Sequence, residues 1–172
     1  MRVLGAILCG GRSRRFGSDK AMALLDGLPL AEHVRRALAP QVEALVACGR
    51  PILDLKGLAD RPGPELGPLA GLNAALHAGL VRDFDAVLAV PCDAARLPDD
   101  LRTALAPGPA YVAELPVVGL WPCTLAPSLD THLAEDARRS MRGWAERAGA
   151  RAVTLDAAIP NINAPEDLAR LD

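Results

Sequence analysis

The sequence predicts an α/β fold, a mostly parallel sheet covered by helices on both faces. Two observations lead there. Short, wholly apolar runs occur at the amino terminus and again near the middle of the chain, as expected of strands buried on both sides. Between and after them lie segments whose leucines recur with helical period.

Arg2 to Leu8 (RVLGAIL) reads as the first strand. Leu28 to Ala39 carries Leu30, Val34 and Leu38 at four-residue spacing, one apolar helical face just after Pro29. Val42 to Cys48 (VEALVAC) reads as a second strand. Gly49 to Leu66, rich in Pro and Gly, reads as a long irregular connection. Leu69, Leu72, Leu76 and Leu80 then mark a helix after Gly67-Pro68, and Ala86 to Val90 (AVLAV) a strand. Pro98 to Ala106 reads as helical, and Tyr111 to Leu120 as two short strands. Leu129 to Ala148 holds one or two helices, Ala152 to Leu155 a strand, and Pro165 to Leu171 a last helix. There is no internal repeat, low-complexity segment or heptad seam.

A chain of 172 residues fits one domain with a sizeable core. Aromatics make up only 3% of it, so Ala, Leu and Val must build that core. A formal charge of −2 excludes a general nucleic-acid or membrane-surface binder; affinity for anions has to come from local clusters. No apolar run reaches the length needed to span a bilayer, and none resembles a signal peptide, so the expected location is the cytoplasm. Cys9, Cys48, Cys92 and Cys123 are scattered without metal-ligand spacing and read as reduced, mostly buried thiols.

The clearest local cluster is LCGGRSRRFGSDK, Leu8 to Lys20, directly after the first strand. In open α/β sheets ligands bind beyond the carboxyl ends of strands. Gly10 and Gly11 let the backbone approach a polyphosphate, while Arg12, Arg14, Arg15 and Lys20 supply charge. The spacing fits neither common phosphate loop. Gly11 and Gly17 are six apart with Ser18 where a Walker Lys belongs, and G-x-G-x-x-G is absent. The competing reading is a solvated basic turn.

Val90-Pro91-Cys92-Asp93 places a carboxylate just past a second buried strand. An Asp there suits Mg²⁺ held against nucleotide phosphates, because hard oxygen ligands suit that ion. Strand alternation is expected to turn Cys92 away from it. In isolation Asp93 reads equally as a turn or cap residue. Together with the basic loop it forms a more specific pair than either alone.

On these pieces the chain resembles the molybdenum cofactor guanylyltransferases, the molybdopterin-guanine dinucleotide biosynthesis protein A family. They belong to a nucleotidyltransferase superfamily that opens with L-x-G-G-x-x-x-R-[MF]-G-x-x-K. The matching pieces are LCGGRSRRFGSDK, GPLAGL (Gly67 to Leu72), PCDA (Pro91 to Ala94), ARRSMRGW (Ala137 to Trp144) and NINAPEDL (Asn161 to Leu168), in the family's order. The resemblance implies a three-layer, Rossmann-like nucleotidyltransferase fold. It would be a single domain over 1–172, with a nucleotide-binding half at 1–107 and an acceptor-binding half at 108–172. It implies that Leu8, Cys9, Gly10 and Gly11 line a GTP site through their backbone. Arg15 and Lys20 would contact the triphosphate, and Asp60, Gly67 and Gly71 would lie near the nucleotide. Asp93 would bind Mg²⁺ and the nucleotide phosphates. Arg138 and Arg142, read as four apart on one helical face, are candidates for the acceptor's phosphate, with Asn161 and Asn163 of the C-terminal motif facing the site.

The chain departs from the family pattern in two places. Val46-Ala47-Cys48-Gly49-Arg50 lacks the Asn usual at the second strand's exit. Ala164 replaces a Thr, which removes a helix N-cap at a cost of about 1 kcal/mol. The implied reaction is transfer of GMP from GTP to the terminal phosphate of molybdopterin, with loss of pyrophosphate. Transient contacts with other cofactor-making proteins or with apo-enzymes would accompany it. The acceptor is a phosphate monoester with a second pKa of about 6, so it is already largely dianionic at neutral pH and needs no general base. His33 and His77 accordingly read as solvated, and Trp121 and Trp144 as packing residues rather than a platform for a pterin. Two alternatives stay open at this stage. One is a nucleotidyltransferase of the same fold with another acceptor or nucleotide, and the other is a nucleotide-binding module without turnover.

Overall fold

The computed structural model describes residues 1–10, 19–160 and 162–171. Its framework is one seven-stranded sheet in the order β5-β4-β1-β6-β8-β7-β9. The strands are β1 (Val3–Leu8), β4 (Ala44–Cys48), β5 (Gly57–Leu58), β6 (Ala86–Pro91), β7 (Ala110–Val112), β8 (Leu115–Pro122) and β9 (Arg151–Val153). A separate hairpin pairs β2 (Leu24–Leu25) with β3 (Leu28–Pro29). The helices are α1 (Leu30–Leu38), α2 (Pro68–Val81), α3 (Leu101–Leu105), α4 (Ala126–Glu135), α5 (Met141–Arg147) and α6 (Pro165–Ala169). Pairing is parallel from β5 through β6 and between β7 and β9, and antiparallel where β8 meets β6 and β7. The sheet is mixed and mostly parallel, as expected.

Alternation along the two central strands divides the core. Val3 and Ile7 of β1, with Ala86, Leu88 and Val90 of β6, pack on one face with Val34 and Leu38 of α1 and Leu101 of α3. Leu4, Ala6 and Leu8, with Val87 and Ala89, face α2, α4 and α5 on the other. Helices on both faces of a sheet bury both sets of side chains, which is why neither strand shows a polar alternation. A third, small cluster joins Leu25 and Leu30 to Ala95, Ile162 and Leu168, and so ties the hairpin to the C-terminal helix.

Several expectations need correction. The helix expected from Leu28 begins at Leu30, because Leu28 and Pro29 are taken by the hairpin. The connection from Gly49 contains an edge strand, β5, of only two residues. The α2 stripe holds at Leu69, Leu72 and Leu76, but Leu80 is half exposed; the buried contact at that end passes to Gly79, against the Cys123 sulfur. Arg138 and Arg142 do not share a helical face. The chain leaves α4 after Glu135 and re-enters helix at Met141, capped by the Ser140 hydroxyl, so Arg138 sits in the intervening turn.

Candidate active site

Three strands end together. Leu8 lies in register with Cys48 of β4 on one side and Pro91 of β6 on the other. The ladder runs one step further, with the Cys9 N–H donating to the Cys48 carbonyl at 2.8 Å and the Cys92 N–H to the Leu8 carbonyl at 3.1 Å. Beyond these ends opens a cavity of about 400 Å³ lined by Leu8, Cys9, Gly10, Lys20, Arg50 and Asp93 among others. Pro68 adds the amino-terminal end of α2, whose dipole favours negative charge. The volume falls in the range of small-molecule sites.

Charge in the cavity is arranged in two pairs. The Lys20 ammonium stands 2.8 Å from the Asp93 carboxylate, with the side chains 17% and 25% exposed. Arg50 reaches the Asp19 carboxylate at 2.6 Å and donates through Nε to the Cys9 carbonyl at 3.2 Å. Asp19 also accepts the Ala21 N–H and so caps the single helical turn Lys20–Met22. That cap sets the direction from which Lys20 enters the cavity. A polyphosphate would find two cations already in place, each held by a carboxylate it can displace.

Asp60 sits beside this cavity among three glycines. A Cβ built on Gly10, Gly49 or Gly71 would come within 3.4–3.6 Å of an Asp60 oxygen. Gly49 has a φ of +92°, and a Cβ there would lie 2.9 Å from the Gly10 nitrogen. The absence of side chains thus brings the exits of β1 and β4, α2 and Asp60 into direct approach. Burial pushes the Asp60 carboxyl above its usual range. Such a carboxylate gains from any N–H or O–H donor that a ligand brings.

The C-terminal motif approaches the same region. Asp167 accepts the backbone N–H groups of Asn163 and Ala164 at 2.9 and 3.0 Å, which hold its carboxyl below the usual range. Asp167 thus keeps the reciprocal half of a capping box; the half lost at Ala164 is a side-chain acceptor for the Asp167 N–H. Lys20 lies close enough to add to that effect.

The structure therefore gathers Leu8, Cys9, Gly10, Lys20 and Asp93 around one cavity, with Asp60 and Gly71 adjoining it and Gly67 at the start of α2. Gly11, Arg12, Arg14, Arg15 and Asn161 lie outside the described residues. The remaining candidates stand apart from the cavity lining. Arg142 donates to the Ala113 carbonyl, Arg138 is almost fully exposed beside Asp136, and the Asn163 side chain is exposed. Arg50 escaped sequence reasoning: it lies just past the end of β4, but outside the basic loop and family motif that singled out Lys20. Cys92 lines the cavity beside Asp93 rather than turning away, because strand alternation stops at Pro91. A hydrogen bond with Cys9 and burial push its thiol strongly up. His33 and His77 are half-buried and bonded to the Leu25 carbonyl and Asp130 rather than solvated. Trp121 and Trp144 are fully buried, 6.0 Å apart, and serve packing.

The fit of a hard cation is local. Asp93 and Asp19 present carboxylates to the cavity, and among the described residues no three His, Cys, Asp or Glu cluster to form a complete cage. That suits Mg²⁺, which takes one or two carboxylates and completes its shell with phosphates and water.

Residues 5–154 match the family described as the MobA-like NTP transferase domain. The chain is 39% identical to a molybdenum cofactor guanylyltransferase of Rhodobacter capsulatus, over all of this chain and 96% of that one. It is 42% identical to the protein of the same name from Cereibacter sphaeroides, with the same coverage. This chain belongs to the MobA-like NTP transferase family. It is a nucleotidyltransferase enzyme, and its relatives are molybdenum cofactor guanylyltransferases. The crystal structure of molybdopterin-guanine dinucleotide biosynthesis protein A from Archaeoglobus fulgidus superposes with a TM-score of 0.76 at 22% identity, covering 98% of this chain and 96% of that one. A nucleotidyl transferase from Methanothermobacter thermautotroptrophicus follows at a TM-score of 0.70 and 16% identity, covering 99% and 95%. At these identities the two neighbours show the fold alone, an α/β fold. No helix among the described residues is long and apolar enough to cross a membrane.

Proposed function

We propose that this MobA-like transferase moves GMP from GTP to the terminal phosphate of molybdopterin and releases pyrophosphate, in the cytoplasm and with Mg²⁺. The reading is carried by the Lys20–Asp93 pair at the joined carboxyl ends of β1 and β6. A cation and a metal-fit carboxylate 2.8 Å apart can part to serve opposite charges, the triphosphate and its metal.

The acceptor phosphate arrives as a dianion and attacks the α-phosphorus of GTP, and the bond to the β-phosphate oxygen breaks. Lys20 and Arg15 draw charge from the leaving pyrophosphate; Arg50 stands where it can do the same once Asp19 gives it up. Gly10 and Gly11 offer backbone N–H groups, and Asp60 accepts donors of the nucleotide. Bound at Asp93, Mg²⁺ would neutralise charge on the phosphates. Asn161, Asn163, Arg138 and Arg142 would meet the acceptor, and transient contact with cofactor-making or cofactor-receiving proteins would deliver and remove it. The test is a nucleotide panel with molybdopterin and Mg²⁺, read by mass of the dinucleotide product. GTP should be used in strong preference to CTP and ATP. Use of CTP but not GTP would overturn the reading.

A further inference from the structure

On the α2–α4 side of the sheet a polar cluster lies away from the cavity, and the reaction as described does not use it. The Asp130 carboxylate of α4 accepts from Asn73 Nδ2 at 2.7 Å, from Arg61 Nε at 3.3 Å and from His77 Nε2 at 2.9 Å. Asn73, on α2, is fully buried, and it also donates to the Arg61 carbonyl at 3.4 Å. The Arg61 N–H in turn donates to the Ala70 carbonyl at 3.1 Å. Burial alone would raise the Asp130 carboxyl, but the hydrogen bonds from Asn73, Arg61 and His77 hold it below its usual range, so it is the charged form that binds them.

Every one of these bonds ends on Arg61 or on the helix against which Arg61 is held, and Arg61 is the residue after Asp60. The regular structure of the segment, an isolated Ile52–Leu55 bridge and a two-residue strand, ends at Leu58, two residues before Asp60. Asp60 must nonetheless keep its carboxylate among Gly10, Gly49 and Gly71, against the cost of its own burial. We infer that Asp130 is a positioning residue for nucleotide binding: through Arg61 and Asn73 it clamps the Asp60 segment onto α2 and aims the Asp60 carboxylate at the nucleotide. The inference rests on the reading of Asp60 as a nucleotide contact.

The experiment is a mutant cycle on the full chain, read as KM for GTP and kcat in the pyrophosphate-release assay, with thermal melts to confirm folding. Asp130→Ala should raise KM for GTP about tenfold, within the coupling range of one hydrogen-bond network, and leave kcat within about twofold. Asp130→Asn keeps an oxygen for Asn73 and Arg61 and should restore most of the lost affinity. Asp60→Ala should raise KM at least as much, and adding Asp130→Ala to it should change KM by less than about twofold, because the clamp then has nothing to aim. A merely structural role would lower the melting temperature and the active fraction but multiply through in the double variant. Full additivity, or an unchanged KM in Asp130→Ala, overturns the inference while leaving the Asp60 contact intact. An unchanged KM in Asp60→Ala overturns both that contact and the clamp built on it.

Discussion

Gly49→Ala is the sharpest perturbation the site geometry allows. The residue has a φ of +92°, and the new Cβ would stand 2.9 Å from the Gly10 nitrogen and 3.0 Å from its Cα, both backbone atoms that cannot swing aside. The positive φ costs about 1–2 kcal/mol for a residue with a Cβ. Forcing a methyl into closed packing adds about 1–3 kcal/mol. The sum, about 2–5 kcal/mol, is a large share of a domain's stability. Gly27→Ala supplies the comparison, since Gly27 has a φ of +76° in the β2–β3 turn but nothing within 4 Å of its would-be Cβ. It should lose only the conformational part. Urea denaturation of both variants, with GTP titrated into each, separates the two contributions. Gly49→Ala should lose at least about 1 kcal/mol more stability than Gly27→Ala and should also bind GTP more weakly, because Gly10 is displaced from the cavity wall. Equal losses, with GTP affinity intact in Gly49→Ala, would refute the argument that close approach of the β1 and β4 exits builds the site.

Lys20→Ala and Asp93→Ala should each lower kcat/KM by about 10²–10³, the scale of one preorganised electrostatic contact, in steady-state pyrophosphate release. Asp60→Asn should stabilise the protein at pH 7. A raised folded-state pKa means the wild type is favoured by Asp60 only at low pH and loses that favour as pH rises through the folded value, so the gain should vanish below the usual Asp range. Glu32 shows the opposite sign. Arg35 and Arg36 hold its carboxyl down to about 2, so its contribution is present above its ordinary pKa of 4.5 and lost as pH falls towards 2. Acid denaturation of Glu32→Gln should therefore differ from wild type most above pH 4.5 and converge with it near pH 2.

The sheet was legible because its central strands are apolar without interruption and its long helices keep their leucine stripes. β5 and the β2–β3 hairpin were not, since two residues cannot show a period. The Asp26-Gly27 pair carries a turn signal, but nothing alternates beside it. In the site, Lys20 could be read from the basic loop and its family motif and Asp93 from its place just past a strand, and the structure adds that they pair. Arg50 follows a strand too, yet without a phosphate-loop composition around it the residue looked ordinary. The Asp130 cluster was illegible for a different reason. Its members come from α2, α4 and the loop between β5 and α2, and only tertiary packing brings them together. Ala164 shows the converse: the lost cap side chain is visible in sequence, whereas the bond from its N–H to Asp167, the other half of a capping box, appears only in three dimensions.

The most direct test of the account is pyrophosphate release by the wild-type protein with GTP, Mg²⁺ and molybdopterin together. One pyrophosphate should be released per dinucleotide formed, and little when any of the three is withheld. Release that proceeds equally well without molybdopterin, or none with all three present, would contradict it.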